Sequence, residues 1–163
     1  MGKSMNEYII NYRKQLKQGD IQVAYEYLRK YVMALRTHFV KELGDRYSVG
    51  NVSPGYMDYT YFPFFDDDLR GRRLRFGIIL NHRAMRFELW LLGQNAEVQK
   101  DYWLLLKSTK WNEGKSSMPQ YSVLEAILVE EPDFDNQDAL TEAILTRAIN
   151  AAIEIQGYIK GIE

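Results

Sequence analysis

The residue types best suited to binding a ligand lie in two neighbouring segments that alternate polar with apolar side chains. Arg75 belongs to the first segment, and Arg86, Glu88 and Trp90 to the second. An arginine guanidinium binds a carboxylate or a phosphate through two parallel hydrogen bonds, and a tryptophan ring offers a plane for stacking. With one acid from the preceding segment, the sequence predicts a ligand-binding face formed by Asp58, Arg75, Arg86, Glu88 and Trp90.

Two interpretations of this face remain open at this point. The face could bind a small anionic or planar ligand or a protein partner. The same pattern is typical of a solvated sheet face with arginine–glutamate pairs across strands, each contributing roughly 0.2–1 kcal/mol, since antiparallel sheets commonly present one polar face. The sequence identifies no catalytic residue, metal ligand or cofactor, because the chain has no cysteine and its two histidines lack a metal-ligand spacing.

These residues belong to a predicted β-hairpin that runs from Arg73 to Leu92. Every second position in it is apolar, and side chains two apart share one face of a strand. The predicted core residues are Leu74, Phe76, Ile78 and Leu80, then Met85, Phe87, Leu89 and Leu91. Two tight turns fit: a turn at Asn81 and His82 places Arg75 opposite Glu88, and a turn at His82 and Arg83 places Arg75 opposite Trp90.

The segments around the hairpin predict an α+β fold. Ser4 and Glu7 form a capping pattern before a first helix, and a second helix reaches Leu43 before Gly44. We expect a mostly antiparallel sheet of four to five strands, packed against an N-terminal helical hairpin and a C-terminal helix. The segment 121–130 is apolar on both alternating faces, which predicts a strand at the centre of the sheet.

Length, charge and composition restrict the class of protein. The 163 residues predict a single domain, 1–163, and the absence of cysteine is compatible with a reducing compartment. A net charge of -1 argues against nucleic acid as a partner. The sequence contains neither a secretory signal pattern nor an apolar run long enough to cross a membrane, so we expect a cytoplasmic protein without a membrane partner.

One alternative rests on a resemblance to nucleases of the PD-(D/E)xK type, whose helix and strand order is similar. Asp58 and Glu88 match the acids that hold a divalent metal in that family, and Gln99 with Tyr102 resembles its helix pair. The motif lysine is replaced by Trp90, and Lys100 or Lys107 would have to act in its place. The resemblance therefore implies a divergent metal-dependent nuclease that is inactive because Trp90 stands in place of the motif lysine.

A third hypothesis is a homodimeric accessory protein. Four aromatic residues lie next to Pro63, namely Tyr61, Phe62, Phe64 and Phe65. Aromatic side chains are enriched at the centres of protein interfaces, so these residues are candidates for burial against a second subunit.

Three blocks of the sequence resemble a small uncharacterised bacterial family, a domain of unknown function. The blocks are GYMDYTYF at 55–62, RFELWLLG at 86–93 and QKDYW at 99–103, and the resemblance covers most of the chain. It implies a cytosolic bacterial protein and brings no activity, cofactor or partner.

Overall fold

The computed structural model describes residues 2–162 and confirms the α+β class. Its helices are α1 Met5–Gln18, α2 Asp20–Leu43, α3 Asp67–Gly71, α4 Ala96–Leu106 and α5 Gln137–Gly161, with a short 3-10 turn at Lys110–Asn112. Its strands are β1 Ser48–Val49, β2 Tyr59–Phe65, β3 Leu74–Asn81, β4 Arg86–Gly93 and β5 Leu124–Val129. The strands form one antiparallel sheet in the order β1-β2-β3-β4-β5.

One face of the sheet packs against α2 and α5 and forms the main core. Phe76 and Ile78 of β3 and Phe87 and Leu89 of β4 are buried there, as the alternation predicts. The helices contribute apolar side chains at helical spacing, including Leu35 and Phe39 of α2 and Ile144, Ala148 and Ile155 of α5. The predicted packing of a helical hairpin and a C-terminal helix on an antiparallel sheet is therefore confirmed.

The register of the β3–β4 hairpin differs from both predicted registers. Arg75 pairs with Leu92, and Glu88 pairs with Ile79. The turn has four residues because the Asn81 side chain accepts a hydrogen bond from the Ala84 backbone N–H, which holds a longer reversal. The observed register is shifted by four residues from the first predicted register and by two from the second, and an even shift keeps every side chain on its predicted face.

Two further expectations were wrong, and a third is narrowed to fewer residues. Met85 is not a core residue: it has a left-handed φ of 49° in the turn and is 37% exposed. The last strand, β5, lies at the edge of the sheet rather than at its centre. Of the four aromatic residues next to Pro63, Phe62 and Phe64 are completely buried in the core of their own chain, which leaves only Tyr61 and Phe65 as candidates for burial against a second subunit.

The first helix differs from the others because it buries none of its residues. Its capping box is present: the Ser4 hydroxyl accepts from the Glu7 backbone N–H, and the Glu7 carboxylate accepts from the Ser4 backbone N–H. Gly19 has a φ of 84°, which ends α1 and lets α2 begin at the next residue. The apolar stripe of α1 is consequently exposed on a well-formed helix.

In the described part of the chain, 2–162, none of the helices has both the length and the apolar character that crossing a membrane requires.

Candidate functional site

The sheet face opposite the main core carries the predicted ligand-binding residues, and it is more apolar than the sequence pattern indicates. We call it the cleft face. Ile79, Trp90 and Leu92 are buried there in a second, small apolar cluster, and Tyr59 and Tyr61 pack against it. Gly77 lies opposite Trp90, and a Cβ at this glycine would come within 3.2 Å of the side chains of Ile79 and Leu92. The glycine thus allows these side chains to lie against the backbone and form a floor.

An open depression of about 410 Å3 lies above this floor. We call it the aromatic cleft, because its lining includes Tyr56, Tyr59, Tyr61, Trp90 and Tyr121 together with Asp58 and Arg75. The loop before β2 and the loop before β5 supply its walls. The Tyr59 ring meets the Trp90 ring edge to face at 4.9 Å and the Tyr121 ring at 6.3 Å. An apolar floor with few polar groups at its rim is the usual composition of a small-molecule site.

Glu88 is a buried carboxylate with three hydrogen-bond donors. Its Oε1 accepts from Trp90 Nε1 at 2.8 Å, and its Oε2 accepts from Arg86 Nε at 2.7 Å and from Asn81 Nδ2 at 2.9 Å. The hydrogen bond to Glu88 raises the pKa of Arg86 above its usual value. Because only 1% of Glu88 is exposed, its carboxylate holds Trp90 in place beneath the cleft and does not face it as a free group.

Arg75 is the exposed cation of the cleft rim. Its guanidinium makes no hydrogen bond or ion pair with another residue of the described range 2–162. The observed register explains this, because Arg75 lies four residues along β3 from Ile79, the partner of Glu88. At about 3.4 Å per residue, this separates Arg75 from the Glu88 level by roughly 13 Å. Arg86 neutralises Glu88 instead, and the Arg75 guanidinium remains available.

The other end of the cleft is electronegative. Burial raises the pKa of the Tyr59 phenol, and the carboxylates of Glu125, Glu88 and Asp58 raise it further. The Asp58 carboxylate accepts from the backbone N–H groups of Tyr56 at 2.9 Å and Tyr59 at 2.7 Å, and these bonds lower its pKa. Tyr59 is thus a protonated phenol among carboxylates, whereas the Arg75 end carries positive charge.

The structure brings the five predicted residues to one region but divides their roles. Asp58, Arg75 and Trp90 line the aromatic cleft. Arg86 and Glu88 lie beside it and bond to each other and, through Glu88, to Trp90. Sequence reasoning missed the tyrosines of the lining. Tyr59 and Tyr61 had a detectable signal, since they alternate with the core residues of β2, but a loop residue such as Tyr121 had none.

The geometry gives the nuclease alternative no support. Asp58 and Glu88 already accept two and three hydrogen bonds from protein groups. The Gln99 amide donates to the backbone carbonyls of Pro119 and Ser122, so it fastens the loop before β5. Within residues 2–162, no three histidine or acidic side chains are grouped as a metal ion requires.

Comparison with known proteins adds a family. A family model described as "Domain of unknown function (DUF7000)" matches residues 5–159. The predicted resemblance to a domain of unknown function is thereby confirmed, whereas the bacterial origin remains a prediction. Searches of the curated proteins and of the solved structures returned no match.

Proposed function

Because the chain belongs to the DUF7000 family, a domain of unknown function, we propose a function from the geometry: the aromatic cleft binds a small planar ligand that carries an anionic group. One observation carries the proposal: the Arg75 guanidinium, which has no partner within residues 2–162, lies at the rim of a cleft lined by one tryptophan and four tyrosines.

The lining supplies the two interactions that such a ligand needs. Trp90 and the surrounding tyrosines offer ring faces and edges, and aromatic pairs contribute about 0.5–1.5 kcal/mol beyond the area they bury. Arg75 lies diagonally across from Trp90, since Trp90 pairs with Gly77 two residues further along β3. Diagonal neighbours in a sheet are about 7–8 Å apart, within reach of long side chains. A ring on the floor and an anionic group on Arg75 fit this spacing.

The proposal concerns binding and includes no chemical step. Glu88 is the most buried carboxylate of the region, and its oxygens accept three hydrogen bonds, one of them from a cation. It is therefore arranged to position Trp90 rather than to remove a proton from a ligand.

Naphthalene-1-sulfonate is a suitable probe because it has a planar ring system and one anionic group. We expect it to bind the wild-type chain in isothermal titration calorimetry and to shift the Trp90 indole N–H signal in NMR spectra. Arg75→Ala should weaken binding by about tenfold, which corresponds to about 1.4 kcal/mol. Tyr56→Ala should also weaken binding, because Tyr56 lines the cleft and is 94% exposed, so that its removal leaves the fold intact.

Two matched controls lie away from the cleft. Arg83→Ala removes an exposed arginine of the hairpin turn, and Tyr27→Ala removes an exposed tyrosine of α2. Neither should change the affinity. Equal loss of binding in the control and cleft variants, or no binding to the wild type, would exclude the proposal.

The exposed stripe of α1 favours a second candidate function, homodimerisation. Met5, Tyr8, Ile9 and Tyr12 follow one face of α1 at helical spacing, and each is more than half exposed. Tyr8 and Tyr12 bury about 150–250 Å2 each when fully covered, and with Met5 and Ile9 the stripe offers on the order of 600 Å2 per copy. Two copies would bury about 1,200 Å2, the lower end of the range for specific interfaces, so we propose a second copy of this chain as the occupant.

Adjacent isoleucines provide a matched test of the dimer. Ile9 and Ile10 are 55% and 53% exposed, but neighbouring helix positions differ by about 100° in direction, and only Ile9 belongs to the stripe. In sedimentation velocity at tens of micromolar, the wild type and Ile10→Glu should sediment as dimers and Ile9→Glu as a monomer. A monomeric wild type would rule out the dimer.

A cytoplasmic location is also proposed here. It is supported by the absence of cysteine, which is compatible with a reducing compartment.

A further inference from the structure

A second open depression, of about 350 Å3, adjoins the aromatic cleft. We call it the arginine pocket, because Arg70, Arg73 and Arg75 line it together with Ser48 and Gln94. Arg75 lines both depressions, so they meet at this side chain. A ligand that fills the cleft can therefore extend into the pocket past a single shared guanidinium.

The three arginines of the pocket have no anionic partner in the described part of the chain. Within residues 2–162, none of their guanidinium groups makes a hydrogen bond or an ion pair, although the adjacent Arg72 pairs with Asp68 at 3.1 Å. Each guanidinium repels the others, and this repulsion is relieved when an anion lies between them. Arginine forks match the oxygens of phosphate, and several arginines can share one phosphate group or one diphosphate.

The backbone holds these arginines together in an unusual conformation. Arg73 has a left-handed φ of 62°, which is rare for a side chain with a long stem. Its N–H donates to the Arg70 carbonyl at 3.0 Å, and its own carbonyl accepts from the Gln94 N–H at 2.9 Å. The turn between α3 and β3 thus returns the chain so that Arg70 and Arg73 line the same pocket. Non-glycine residues held in this region are enriched at ligand-binding sites.

Charge is divided along the combined site. The arginine pocket is positive, whereas the Asp58 carboxylate lines the far end of the aromatic cleft, where the nearby Glu125 carboxylate also raises the pKa of the Tyr59 phenol. A matching ligand has a strongly anionic group at one end and, roughly 10–13 Å away, a planar ring with N–H groups that carboxylates and phenols can accept. A nucleobase and the phosphates of the same nucleotide have this arrangement.

We propose that the ligand of the aromatic cleft is a nucleoside phosphate, with its base above Trp90 and its phosphates in the arginine pocket. This inference rests on the proposed function, because it names the class of planar anion. The anion is a compact nucleotide rather than a nucleic acid strand, because the arginines form one cluster instead of a track along the surface.

Calorimetric titration of the intact chain tests the inference with three probes: adenosine or guanosine, the matching 5′-diphosphate, and inorganic pyrophosphate. The diphosphate should bind at least about tenfold more tightly than its nucleoside, and pyrophosphate should compete with it. This difference in affinity between the diphosphate and the nucleoside, which we call the gain, should decrease as the salt concentration is raised, because exposed charges are screened. The double variant Arg70→Gln/Arg73→Gln should lose the gain and still bind the nucleoside.

A second variant and a control keep the test independent of folding. Arg73→Asn removes the charge with a residue that tolerates left-handed backbone, so it should lose part of the gain without lowering the melting temperature. Arg83→Gln removes an exposed arginine outside the pocket and should retain the full gain.

The possible failures are distinguishable. If naphthalene-1-sulfonate binds through Arg75 but the diphosphate binds no better than the nucleoside, the inference is overturned and the proposed function stands. If pyrophosphate binds and no planar probe does, both are overturned. Tighter binding of a five-nucleotide single strand than of the diphosphate would overturn the assignment to a mononucleotide.

Discussion

Removal of the Glu88 carboxylate should destabilise the chain more than any other change to a single charge on the cleft face. Glu88 is 1% exposed and is the shared acceptor for Asn81, Arg86 and Trp90. Glu88→Ala leaves the Trp90 N–H buried without an acceptor and leaves the Arg86 guanidinium without its close carboxylate. Glu88→Gln keeps the side-chain volume and one acceptor oxygen but turns an amide NH2 towards other donors.

Arg86 and Trp90 lose different amounts of interaction energy when the Glu88 carboxylate is removed. Breaking a buried ion pair costs about 3–5 kcal/mol, chiefly because a charge is left uncompensated. The Arg86 side chain is 29% exposed and lies 3.7 Å from Glu130, so it recovers part of this energy from water and from that second carboxylate. The Trp90 indole recovers little, because it is only 5% exposed. We therefore expect the free energy of unfolding to fall by about 3 kcal/mol in Glu88→Ala and by about 2 kcal/mol in Glu88→Gln.

Urea denaturation at neutral pH, followed by far-ultraviolet circular dichroism, measures both losses. With an m value of about 2 kcal/mol/M, the Glu88→Ala midpoint should fall by about 1.5 M. Glu125→Gln is the matched control: Glu125 faces Trp90 from β5 and accepts from the Ser122 hydroxyl, but it is only half-buried. It should lose no more than about 0.5 kcal/mol. Glu88 variants as stable as this control would refute the reasoning.

The remaining predictions concern single residues outside the Glu88 network. Burial lowers the pKa of His82 below its usual value of about 6.5, so as the pH falls the unfolded chain is protonated before the folded chain. The contribution of His82 to the free energy of unfolding is therefore complete above about pH 6.5 and decreases below it. His82→Gln should lessen this decrease when urea midpoints are compared near pH 7.5 and pH 5. In Gly93→Ala, the added Cβ would lie 2.7 Å from the Gln99 backbone nitrogen, so the melting temperature should fall, whereas in Gly157→Ala of α5 the Cβ meets no atom within 4 Å and the melting temperature should rise. Asn95→Ala removes the N-cap bond of α4 and should cost about 1 kcal/mol in urea denaturation.

Local patterns were sufficient for the capped helix ends and for the faces of β3 and β4. The capping box at Ser4 and Glu7, the left-handed Gly19 and the Asn95 cap act within one helical turn, so they are readable from neighbouring residues. The alternation in β3 and β4 depends on the pleat alone, and it correctly separated Phe76 and Phe87 from the cleft face. These signals are local because the backbone geometry that produces them is local.

Sheet position was not readable in the same way. The composition of the segment 121–130 is typical of a central strand. Its strand, β5, nevertheless lies at an edge of the sheet, and Ile127 is exposed there. Composition does not state which strands pair, since pairing joins residues that are distant in the chain. The α1 stripe presents the same difficulty, because an amphipathic helix predicts a partner without identifying whether it belongs to the same chain.

The candidate site shows where the two kinds of information meet. The sequence by itself determined that Arg75, Glu88 and Trp90 share one face of a hairpin, because side-chain direction follows from a period of two. Only the tertiary structure decided that Arg86 neutralises Glu88, while the Arg75 guanidinium pairs with none of the described residues, 2–162. That outcome follows from a four-residue turn that shifted the register, and from loops that brought Tyr56 and Tyr121 to the rim. Register and loop placement are set by contacts between distant segments, so local sequence patterns could not predict the distribution of charge in the cleft.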